Sequence, residues 1–132
     1  MNGKTIEYGY INTVNKEDGT VTVIRPDKNR AITGEMPFFA FCGEFQLPKV
    51  GTLVAYIKWG TGSSDGVVLG GFWSRRVPPP VGYGFYKDTG NGTAIYEKEG
   101  LLYLKDSKGL TAIGKLLEKL EDMEKRISRL EG

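Results

Sequence analysis

Asp88-Thr89-Gly90 is the one triplet in this sequence with a catalytic spelling. Dimeric aspartic proteases bring one such triplet from each subunit, so that two carboxylates share a proton. Here the triplet follows the polar pair Tyr86-Lys87 instead of an apolar strand, and glycine-rich sequence follows it, which favours an exposed turn. There is no histidine, which removes Ser-His-Asp and Cys-His machinery in their usual forms and every metal site built on imidazole. Cys42 is the sole cysteine, so neither an intrachain disulfide nor a thiolate zinc site can form, and a reducing cytoplasm is the expected place of synthesis. Its place in the apolar run Pro37 to Phe45 predicts a buried structural thiol, not a reactive one. Gly60-Thr61-Gly62-Ser63-Ser64-Asp65-Gly66 is glycine-rich, but it lacks the Gly-Lys-Ser/Thr ending of a phosphate loop and precedes a strand, so it reads as a hairpin loop. No catalytic residue, cofactor or metal is expected, and the chain does not read as an enzyme.

Aromatic residues offer a second chemistry. Phe38, Phe39, Phe41, Phe45, Trp59 and Trp73 could stack the bases of a single strand on a small barrel. Yet no Lys or Arg lies between Phe38 and Phe45, and Lys plus Arg exceed Asp plus Glu by only 18 to 16. Phosphate binding calls for a stronger basic bias. Aromatics without a cationic groove point to core or protein interface, and no nucleic-acid partner is expected.

The clearest pattern is at the carboxy-terminal end. Ile113, Leu116, Leu120, Met123, Ile127 and Leu130 are spaced three, four, three, four, three, the a and d positions of a coiled coil without a slip. Thr111 is expected to cap the helix and Gly132 to end it. Lys119 and Arg126 fall at g, Glu124 and Glu131 at e of the following heptad, and opposite charges so placed meet only when helices run parallel. The stripe is narrow, a and d plus Leu117, which favours a partner helix over packing against the chain's own domain. A helix this short is also marginal alone. Ile at a with Leu at d in the last heptad favours a dimer by itself. Arg126-Ile127-Ser128-Arg129-Leu130-Glu131, however, resembles a known trimerisation signature, and a homotrimer is the expectation.

The elements ahead of the heptads read as β. Ile6 to Val14, Thr20 to Ile24, Thr52 to Trp59 and Val67 to Trp73 are rich in β-branched and aromatic residues, with breaks at Asn15 to Gly19, Arg25 to Asn29 and Pro48 to Gly51. Pro37 to Leu47 is too irregular for a strand and suits a wrapped loop at a barrel end. About five strands without a covering helix suggest a small barrel, since closure removes exposed edges. Val77-Pro78-Pro79-Pro80-Val81 is a stiff extended linker. Tyr83 to Lys87, Thr93 to Lys98 and Leu101 to Lys105 then form short strands that need apolar cover from outside, with identical neighbours its simplest source. Nothing at the amino terminus resembles a secretory leader, and no stretch is long and apolar enough to span a bilayer.

Pro48-Lys49-Val50-Gly51-Thr52-Leu53-Val54-Ala55-Tyr56, a Gly/Asp loop, then Gly66-Val67-Val68-Leu69-Gly70-Gly71-Phe72-Trp73, with Gly9-Tyr10-Ile11 in an early strand, resembles the phage baseplate assembly protein V family and the related type VI secretion spikes. The likeness covers roughly residues 6 to 76. It implies an N-terminal five-stranded barrel of the oligonucleotide/oligosaccharide-binding (OB) type over 1–76 and a short intertwined β-helical segment over 83–109; with the linker over 77–82 and the parallel coiled coil over 110–132 read from the residues, the expected fold is mainly β. It also implies a homotrimeric central spike in the baseplate of a contractile phage tail or tail-like particle, made in the bacterial cytoplasm. Such a spike caps the tail tube, meets tube and hub proteins, and touches the host envelope transiently. Family spikes often end in a tip with histidine-ligated iron; without histidine none can be built here, and the heptads continue the spike, fold back or hold a separate tip protein.

Overall fold

The computed structural model describes residues 5–131; Gly132, expected to close the helix, lies outside them. The chain is mainly β, with two antiparallel sheets and one carboxy-terminal helix, and it divides into two compact units between Val77 and Pro78.

In the first unit, β1 (Thr5–Asn15) pairs through its first half with β5 (Leu53–Lys58) and through its second half with β2 (Thr20–Arg25). The ladder with β2 slips between Ile11 and Thr13, a bulge that bends β1 so that one strand serves two partners. Ahead of that slip, Gly9 lets β2 approach closely, since a Cβ there would collide with the Ile24 carbonyl oxygen and the Val23 side chain. β6 (Gly66–Gly71) continues the sheet beyond β5, while the two-residue strands β3 (Ala31–Ile32) and β4 (Met36–Pro37) both pair with β2. Directly after β4, Phe38 makes one parallel bridge with Val68 of β6, so the sheet's path returns on itself at a single point. That bridge is short of a closed ladder.

Alternation along β2, β5 and β6 turns Val21, Val23, Val54, Tyr56 and Val68 inward, where they join Ile11 and Met36 as the core, with Val14 and Phe38 against its rim. Two polar anchors pin this core. Arg25 donates through Nη2 to both Glu7 carboxylate oxygens, at 2.8 and 3.1 Å, and through Nε to the Tyr56 hydroxyl at 3.1 Å. Lys58 is buried and gives its ammonium to the Gly62 carbonyl, while Asp65 accepts from the Gly62 amide at 3.0 Å, which closes the 60–66 loop on itself.

The expected strands at Ile6 to Val14, Thr20 to Ile24, Thr52 to Trp59 and Val67 to Trp73 are present with edges moved by a residue or two. Two points differ. The first sheet has six strands, since β3 and β4 carry too few residues to show a period. Cys42 is exposed, not buried: it sits at φ 51° in a one-turn 3-10 segment, Phe41–Gly43, on the outside of the unit. An apolar neighbourhood in sequence does not bury a thiol when the segment is a surface loop.

In the second unit, β7 (Phe85–Gly90), β8 (Thr93–Lys98), β9 (Leu101–Asp106) and β10 (Gly109–Ala112) form a meander in which each strand pairs with its neighbour in sequence. Three tight turns make it. Asn91-Gly92 and Glu99-Gly100 hold positive φ at both central positions, the primed geometry that matches strand twist, and Asp106 accepts from the amides of Lys108 and Gly109. In place of the intertwined β-helical segment expected over 83–109, this chain thus pairs all four strands within itself. α1 (Ile113–Glu131) follows β10 with no intervening residue. The helix was expected from Leu110 with Thr111 as its cap; both lie instead in β10, opposite Lys105 and Leu104, because pairing with β9 claims them.

Candidate self-association surface

α1 is held by its first turn alone. Its base lies near β9 and β10, Ile113 is half-buried, and no residue of the helix is fully buried. Leu116, Leu120, Met123, Ile127 and Leu130 are exposed together with Leu117. About four turns of helix therefore present an apolar stripe that the rest of the second unit does not cover. Such a helix gains no tertiary packing from its own chain, and packing is what normally stabilises helices of this length.

The charged positions flank the stripe as the heptad pattern places them. Lys119, Glu124, Arg126 and Glu131 are all exposed. Within one chain Arg126 reaches back to Asp122, Nη2 to Oδ2 at 3.2 Å, an (i, i+4) pair on the helix surface. Its guanidinium, with five donors, can keep that bond and still reach another carboxylate.

The second sheet adds to this surface. On one side the rings of Tyr86, Tyr96 and Tyr103 stack across three strands with centroids 5.5 and 5.0 Å apart. Tyr83 packs edge-on against Tyr86 and Tyr96, and Lys98 lies over the Tyr83 ring at 5.7 Å. Tyr96 at the centre of this ladder, with Ala94 and Ala112, supplies the buried positions of the sheet. The opposite side carries Phe85, Ile95, Leu102 and Leu104, all exposed. The tyrosine ladder was missed in the sequence, although Tyr86, Tyr96 and Tyr103 at alternate positions of adjacent strand-like runs are a signal for one.

The other candidates are placed as follows. Asp88 and Thr89 are exposed at the end of β7, and an Asp88 carboxylate oxygen accepts from the Gly90 amide at 2.8 Å, an interaction internal to its hairpin. Of the six aromatics, Phe38 packs on the core while Phe39, Phe41, Phe45, Trp59 and Trp73 are exposed. Phe39 and Phe41 meet edge to face at 4.7 Å. Trp59 follows the β5 end that pairs with Gly66, and Trp73 lies beyond Gly71 at the other end of the ladder, so the two indoles do not share one platform. Among the described residues no three His, Cys, Asp or Glu side chains gather as metal ligands, and no helix is long and apolar enough to cross a membrane.

Comparison with protein-family models and with curated proteins yields no match.

Proposed function

We propose that this chain is a homotrimeric structural protein: the central spike of a contractile tail baseplate, in a phage or a tail-like particle, capping the tail tube and helping to breach the host envelope. The observation that carries the self-association is α1. It offers an apolar residue at every a and d position and buries none fully, and its g and e charges complement those of a parallel copy. On this reading Ile113, Leu116, Leu120, Met123, Ile127 and Leu130 form the seam of a parallel coiled coil, with Lys119 to Glu124 and Arg126 to Glu131 pairing between chains.

The spike role rests on the ordered motifs of residues 6 to 76, which resemble the baseplate assembly protein V family. A first strand shared by two partners, its bulge between Ile11 and Thr13 and the Phe38–Val68 bridge suit an OB-type barrel, and the meander follows it in the sequence where the family's needle is expected. Such a part works by stiffness, without chemistry. Tube and hub proteins are its permanent partners, a separate tip protein an optional one, and the assembled baseplate its location.

Light scattering on the intact chain tests the proposal. A homotrimer gives about three times the 14.6 kDa of one chain. Replacing Leu120 and Ile127 together with Asp puts unpaired charge into the seam and is expected to return the mass to that of one chain. A monodisperse monomer for the unaltered chain at micromolar concentration overturns the reading.

A further inference from the structure

Ile95 lies in β8, an interior strand flanked by β7 and β9, yet it is 38% exposed. Strand neighbours cannot cover it; only something lying on the sheet can. Phe85, Leu102 and Leu104 share its face, because Phe85 and Leu102 both pair with Glu97 while Leu104 pairs with Ile95, and side chains alternate between faces. On the opposite face the stacked rings bury Tyr96, and Ala94 and Ala112 are buried with it. None of Phe85, Ile95, Leu102 and Leu104 is covered in the same way.

We propose that the Phe85–Ile95–Leu102–Leu104 face is turned to the symmetry axis and covered by the same face of the other copies of this chain, and that each copy brings a complete four-stranded sheet instead of exchanging strands. The inference rests on the self-association reading above and specifies where else the copies touch. Three observations favour a second copy as the occupant. β10 runs into α1 without a linker, so copies joined by parallel helices carry their sheets to the same level. Packed helices lie about 8–10 Å apart and packed sheets about 10 Å apart, so one spacing serves both layers. The seam charges are complementary only to those of an identical parallel helix, which selects the partner. Exchange of strands is disfavoured by the turns. Asn91-Gly92 and Glu99-Gly100 close their hairpins within two residues, and opening them discards pairing that forms locally.

The test uses the full chain carrying Cys42→Ser, with either Ile95→Cys or, on the exposed β9–β10 turn, Ser107→Cys. Mass is measured on the same samples that are labelled with a maleimide. In the oligomer the thiol at position 95 is expected to react about tenfold more slowly than that at 107, as for a site that opens only transiently. Adding Leu120→Asp and Ile127→Asp is expected to yield a monomer in which the two rates converge. Equal rates in an oligomer of unchanged mass overturn the face contact and leave the helical seam standing; a monomeric parent overturns both. A second variant, Lys98→Cys with Leu101→Cys, places thiols on directly opposite residues of β8 and β9, on the face turned away from the proposed contact. After oxidation a denaturing gel is expected to show single chains, and covalently joined chains overturn the complete-sheet arrangement.

Discussion

Gly9 and Arg25 hold the first unit together by opposite means, one through the absence of a side chain and the other through the reach of a long one. Any Cβ at position 9 must displace Ile24 backbone and Val23, neither of which has room to yield in a packed sheet. Gly9→Ala is expected to cost about 1–3 kcal/mol, read as a lower urea midpoint with unchanged slope. Arg25 ties β2 to Glu7 of β1 and to Tyr56 of β5 in one fork. Burial of the Tyr56 phenol, aided by the nearby Glu7 carboxylate, raises its pKa above the usual value near 10. A raised pKa means that the folded chain holds this proton more tightly than the unfolded one. The stabilisation is therefore full below about pH 10 and is lost as pH climbs through the folded value. Urea titrations on both sides of pH 10 are expected to show a smaller alkaline loss for Tyr56→Phe than for the parent, against a loss of about 1 kcal/mol at neutral pH for the missing hydrogen bond. Cys42 shows the limit of reading burial from neighbours. Its apolar flanks, Phe41 and Phe45, are themselves exposed.

Elements with a strong internal period were legible, and elements made by their partners were not. β1, β2, β5, β6 and β8 follow from β-branched and aromatic runs, and α1 from its unbroken three-four spacing. β3 and β4 exist only because β2 offers them an edge, and two residues carry no period. β10 was absorbed into the helix because Leu110 extends the apolar pattern; what decides its state is the antiparallel register with β9, a tertiary fact. Ile113, Leu116, Leu120, Met123, Ile127 and Leu130 all lie in α1, and the exposure of all but Ile113 is what makes the stripe a candidate surface. Arg126 allows a test at this scale. If the Arg126–Asp122 pair within the helix were its whole role, Arg126→Ala and Asp122→Ala would have equal effects, each within about 0.5 kcal/mol. The seam reading expects Arg126→Ala to lower the dissociation midpoint on dilution or heating clearly more than Asp122→Ala.

The molecule as a whole separates its tasks at Pro78. The first unit has a continuous apolar core that its own strands complete, whereas the second has a half-covered sheet and a bare helix. Residues 1–77 made alone are expected to be monomeric and to unfold cooperatively. Residues 78–132 made alone are expected to keep the number of copies found in the full-chain oligomer and to melt at a midpoint that rises with concentration. A monomeric 78–132 fragment beside an oligomeric parent would move the clamp into the first unit. The two indoles bear on how any of this is observed. Trp59 and Trp73 are the chain's only tryptophans, both belong to the first unit, and both are 50% or more accessible. Their emission is already that of wet indole in the native state, so it will change little when the chain denatures and will be silent while helices zip together. It should shift to the blue and escape aqueous quenchers only when another protein settles onto the ends of the β5–β6 hairpin, which makes intrinsic fluorescence a docking signal and not a folding one.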